Sequence, residues 1–95
     1  MASQPWSALP GADLVADGLE DLAHNRDTIA ALVVAIGAPK LRSLGVVVPV
    51  RSSLLPEHAL YARLQAENGR TAHSRYNALV GRLVSFERAL ACANA

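Results

Sequence analysis

The strongest constraint sits in the last third of the chain. Ala72, Tyr76, Leu79, Leu83, Phe86 and Leu90 recur at steps of 4, 3, 4, 3 and 4. That rhythm puts six apolar side chains on one side of an α-helix, whereas a strand changes face every second residue. Val80 and Val84 widen the seam. Thr71 is suited to cap this helix, which is predicted to reach about Ala91, roughly 30 Å at 1.5 Å per residue. A helix that long crosses a whole small domain, so the remaining segments must pack around it.

Those segments also read as helical. A first helix is predicted from Gly11 or Ala12 to about Asn25, with Val15, Leu19 and Leu22 on one face and Asp13, Asp17, Glu20 and Asp21 on the other. Gly18 either weakens its interior by about 1 kcal/mol or lets a neighbour come close. Asp27 suits the N-cap of a second helix. Ile29, Leu32, Val33 and Ile36 form its stripe, and Ala30, Ala31, Val34 and Ala35 fill the rest, which predicts the most buried element. Gly37 and Pro39 are expected to end it. Residues 39–44 then restart as a short helical piece that stops at Gly45. Pro56 can open a further helix with Leu60, Tyr61 and Leu64 on its face, and Asn68-Gly69 can close it.

The one β-like stretch is Val46-Val47-Val48-Pro49-Val50. Pro49 removes a ladder donor, and no second alternating run exists to pair with it. An extended crossover is expected, with a strand pairing across a dimer as the alternative. Residues 1–10 hold Pro5, Trp6 and Pro10 and read as an irregular arm, with Trp6 docked on the bundle. The predicted fold is all-α: a small four-helix bundle-like domain over residues 1–95, with one short extra helical turn and an extended Val-rich crossover. Leu32, Val33, Ile36, Tyr76, Leu79, Leu83 and Phe86 are the expected core.

Composition supports this class. The 95 residues include 18 Ala and 14 Leu but only four aromatic residues. Ala and Leu are strong helix formers. The chain is long enough to bury roughly 64% of its extended surface without disulfides. A single cysteine, Cys92, excludes an internal disulfide and a multi-thiolate zinc site. The eight Arg against one Lys, with the Ala excess, fit GC-rich codons and a bacterial source. The first residues lack a basic region ahead of an apolar run, and the longest apolar run is eight residues, Ile29 to Ile36. No secretory signal or membrane span is expected, and the chain reads as cytoplasmic.

Charge is divided along the chain. Residues 1–39 sum to −4 and residues 40–95 to +5. Such asymmetry fits a nucleic-acid face, complementary docking, or two faces that attract each other inside one fold. On the last helix, Arg75, Arg82 and Arg88 fall outside the apolar seam. Between them run the small residues Ser74, Ala78, Gly81, Ser85 and Ala89. A small-residue stripe lets another backbone approach, and flanking Arg can then meet carboxylates or phosphates. Gly81 matters most, because a mid-helix Gly on a purely solvated face costs stability without return. The interaction surface read from sequence is therefore Ser74, Arg75, Ala78, Gly81, Arg82, Ser85 and Arg88. An exposed Ala-rich helix face without a partner is the bland alternative.

Other chemistry is weaker. Asp13, Asp17, Glu20 and His24 share a helix face at steps of 4, 3 and 4. They could meet a divalent metal only with help from Glu57, His58 or His73, and read first as a solvated acidic face. A helix-turn-helix over residues 56–71 and beyond has plausible lengths, with Thr71, His73, Ser74, Arg75 and Asn77 near bases. Arg70 and Arg75 fall where that motif wants apolar packing, so DNA binding ranks second. His24, His58, His73, Tyr76 and Cys92 form no nucleophile elbow, phosphate loop or dinucleotide fingerprint. His73 is expected at the seam edge, buried or capping. No catalytic residue, metal or cofactor is assigned. The leading expectation is a non-catalytic interaction module, as a homodimer or partner subunit.

Three segments resemble small, uncharacterised helical proteins of actinobacteria. They are Ala72-His73-Ser74-Arg75-Tyr76-Asn77-Ala78-Leu79-Val80, Val84-Ser85-Phe86-Glu87-Arg88-Ala89 and Gly37-Ala38-Pro39-Lys40-Leu41-Arg42. The resemblance covers residues 12–92 and implies no activity, cofactor or site residue.

Overall fold

Four α-helices occur among the described residues: α1 (Ala12–Ala23), α2 (Ile29–Ser43), α3 (Pro56–Asn68) and α4 (Ala72–Ala93). The computed structural model describes residues 6, 8–49 and 55–93, and no strand occurs among them. The helix seams dictate the packing. α2 is apolar almost all round and touches α1, α3 and α4. Its Val33, Val34 and Leu41 are fully buried, as are Val15 of α1, Leu60 and Leu64 of α3, and Phe86 of α4. No polar or charged side chain is buried among the described residues.

Helix ends follow local chemistry. α1 closes on Asn25, whose φ is +57°; Asn25 N–H donates to Leu22 O and Arg26 N–H to Asp21 O. This is a Schellman closure with Asn in the left-handed position. α2 closes in the same way at Gly45, as the sequence predicts: Gly45 N–H donates to Arg42 O and Val46 N–H to Leu41 O. Pro56 starts α3. At the head of α2 the cap is Thr28 and not the expected Asp27: Thr28 Oγ1 accepts from Ala31 N–H at 3.2 Å and donates to Asp21 Oδ2 at 2.5 Å. Both residue types can cap, and the carboxylate of α1 selects Thr28.

The main departure from expectation lies in α2. It does not stop at Gly37 and Pro39 to restart as a separate short piece; it is one helix through both. Gly37 and Ala38 are buried and Leu41 fully so, while Pro39 is exposed. The proline ring forfeits one backbone hydrogen bond on the wet side of the helix, where water can replace it. Burying Leu41 outweighs that loss.

Residues 46–49 of the Val-rich crossover form neither helix nor strand, with Val46 and Val48 buried and Val47 exposed. Arg42 Nη2 donates to Val48 O at 3.1 Å and ties the crossover to the end of α2. Val50 lies outside the described residues. Most of the N-terminal arm does too, but Trp6 is buried and meets Phe86 edge to face at 5.1 Å. Gly11, with φ +77°, sets the chain into α1 beside α4; a Cβ there would lie 2.7 Å from Arg82 O. Of the expected core, Leu32, Val33, Leu83 and Phe86 are buried, whereas Ile36, Tyr76 and Leu79 are only partly so. Tyr76 stays at the edge because its ring lies 5.7 Å from Tyr61 at the α3–α4 boundary.

Candidate functional site

The α4 seam faces α1, α2 and α3. Ala72, Leu83, Phe86 and Leu90 are buried along it. Its opposite side is therefore the longest helical face turned to solvent. Ser74, Ala78, Gly81, Arg82, Ser85 and Arg88 are exposed there, and Arg75 is half-buried. Ala89 lies at the margin and is partly covered. At 100° per residue, Gly81 sits opposite the centre of the seam, between Arg88 on one side and Ser85 on the other.

The glycines separate this face from the interior. A Cβ on Gly18 would fall 2.4 Å from Ala30 O and from Val34 Cγ2. A Cβ on Gly37 would fall 2.8 Å from a Leu83 methyl carbon. A Cβ on Gly81 would meet nothing within 4 Å among the described residues. The first two glycines let α2 close on α1 and α4. The third lies in open space.

The arginine rim is not uniform. Arg82 Nη2 donates to both carboxylate oxygens of Asp13, at 3.0 and 3.1 Å, across 69 residues of sequence. That bond, with the Leu14 N–H, holds the Asp13 carboxyl below its usual range. Arg75 pairs with Glu67 at 3.0 Å. Arg88 makes no hydrogen bond or ion pair among the described residues. The acidic first half and basic second half thus meet directly in Arg82–Asp13, while Arg63 Nη1 reaches back to the first half by donating to the backbone carbonyl oxygen of Asp27 at 2.6 Å.

Other sequence candidates disperse. Asp13 of the α1 acidic row is taken by Arg82, and the His24 ring lies 2.9 Å from Glu20 O. The described residues contain no group of three His, Cys, Asp or Glu able to hold a metal ion. His73 is exposed, not buried at the seam, because its ring turns along the helix to Asn77 at 3.2 Å. Cys92 is exposed at the end of α4. Thr71, His73, Ser74 and Asn77 are exposed at the start of α4, while Arg75 is drawn back to Glu67.

A groove between α3 and α4 escaped the sequence reading. Glu57, His58, Tyr61, Ala62 and Gln65 of α3 line it together with Tyr76 of α4, around an open volume of about 380 Å³. The α3 residues stand at steps of one, three and four, which marks one helix side. Nothing in the spacing shows that Tyr76 joins them from the next helix.

Comparison with protein-family models, curated proteins and solved structures gives no match. No helix among the described residues is long and apolar enough to cross a membrane.

Proposed function

We propose that this chain is a non-catalytic interaction module of the bacterial cytoplasm, docking another helix along the outer face of α4. The occupant is a second copy of the chain or a helix of a partner subunit. One observation carries the reading: Gly81 sits mid-helix with open space above it. A glycine there costs about 1 kcal/mol relative to alanine. Gly18 and Gly37 offset their cost through close packing inside the fold, and Gly81 has no such neighbour. With Ser74, Ala78 and Ser85 it leaves a shallow track in which a second backbone can lie at about 8 Å between axes. Arg88 at the rim is available for a carboxylate of the partner.

The same rim could address phosphates. The pairing of Arg75 with Glu67 and of Arg82 with Asp13 favours the packed reading, since both guanidiniums must leave a carboxylate to meet DNA. Sedimentation velocity of wild type and Gly81→Leu tests the proposal at unchanged helicity. A wild-type dimer that the variant reduces to monomer is expected for self-association, with little response to salt. Binding to random-sequence duplex DNA that disappears at high salt contradicts it and gives the face to nucleic acid.

A further inference from the structure

We propose that the groove between α3 and α4 binds an organic cation, a guanidinium or alkylammonium group. Two aromatic rings line it, Tyr61 from α3 and Tyr76 from α4, with centroids 5.7 Å apart and planes tilted by 58°. Aromatic faces carry negative quadrupole density and attract cations. Among the described residues of the lining, Glu57 brings a carboxylate and no Lys or Arg contributes. Glu57 also lies in the first turn of α3, where its charge offsets the positive helix end that would otherwise favour an anion.

The polar groups converge on the groove without satisfying each other. Among the described residues, the Glu57 carboxylate, the His58 ring, the Gln65 amide and both phenol hydroxyls have no hydrogen-bond or ion-pair partner. Their neighbours behave differently. Arg63 reaches Asp27 O, and Glu67 holds Arg75 at 3.0 Å. The Glu57 carboxylate and the Gln65 amide oxygen are acceptors, which complements the acceptor-free fork of a guanidinium. The volume of about 380 Å³ lies at the small end of ligand clefts and suits a head group on a short chain.

The cation can come from a free small molecule or from an arginine side chain of a peptide. Backbone-amide NMR of the full chain at fixed ionic strength separates these sources and tests the site. The probes are ethylguanidinium chloride, the capped tripeptide Gly-Arg-Gly, and sodium propionate as the anionic control. The expected result is saturable shifts at residues 57, 58, 61, 62, 65 and 76, with a dissociation constant on the order of 1–10 mM for ethylguanidinium. Tripeptide binding about tenfold tighter assigns the site to an arginine side chain; equal affinity assigns it to a free cation. Glu57→Gln, at an exposed position, should weaken binding roughly threefold to tenfold. Tyr61→Leu should weaken it similarly while Tyr61→Phe retains it, because the ring face and not the hydroxyl holds the charge. Linear shifts without saturation, an equal response to propionate, or indifference to both Glu57→Gln and Tyr61→Leu would overturn the proposal.

Discussion

At Gly18 the α1 backbone runs so close to α2 that one added carbon would fall 2.4 Å from the Ala30 carbonyl oxygen. At Gly81, also inside a helix, the same carbon would enter empty space. Both positions carry the entropic cost of glycine, yet only the first returns it within the fold. Gly37 falls between: its neighbours are the methyl ends of Leu83, which can turn aside, rather than a fixed backbone. The contrast teaches that a small residue has to be read against what stands over it. The α1–α2 junction is finished by the chain itself, whereas Gly81 on the outer face of α4 has no such neighbour among the described residues.

Substitutions can break or sharpen that contrast. The largest effect should come from the filled side. Leu83, 2% exposed and packed over Gly37, should cost about 2–5 kcal/mol on truncation to Ala. A loss below half that in urea melts would remove Leu83 from the core. Gly18→Ala should destabilise by about 1–3 kcal/mol despite its better helix propensity, because backbone and not a flexible side chain blocks the new carbon. A neutral result would mean that α1 and α2 do not pack this closely. Gly81→Ala should do the reverse and stabilise the monomer by about 0.5–1 kcal/mol. Destabilisation there would show a neighbour over the face that the fold itself does not place. Gly37→Ala should sit near zero in the same melts, helix propensity offsetting the displacement of Leu83 methyls.

Much of the α-helical architecture is legible in the residues, and its failures have physical causes. The α4 seam shows itself because Tyr76, Leu79, Leu83 and Phe86 keep one face over several turns. The α2 stop does not hold because Gly37 and Pro39 are judged locally, while the burial of Leu41 is a property of the assembled core. Asp27 and Thr28 are equivalent caps until Asp21 arrives from α1. The arginine rim is visible as a pattern, but not the partners of Arg75 and Arg82: Glu67 is eight residues from Arg75 and Asp13 is 69 from Arg82. The Tyr61–Tyr76 groove is hidden for the same reason, since two helices each supply a half that looks ordinary alone.

Electrostatics gives the smallest effect. Arg82 depresses the Asp13 carboxyl in the folded state. A group with a lowered folded value adds stability above its unfolded value and loses it as pH falls through the folded one. The unfolding difference between wild type and Asp13→Asn should therefore be small, present near neutral pH and absent in strong acid. A difference that grows on acidification would contradict the Arg82–Asp13 pair.

The most direct test of the α4 face is in-cell photocrosslinking from position 85, with a benzophenone amino acid replacing Ser85. One discrete adduct is expected, at twice the chain mass or at the mass of one partner, and Gly81→Leu should abolish it while the purified variant keeps its fold and stability. Absence of any discrete adduct from wild type, or an adduct that survives Gly81→Leu unchanged, would contradict docking on this face.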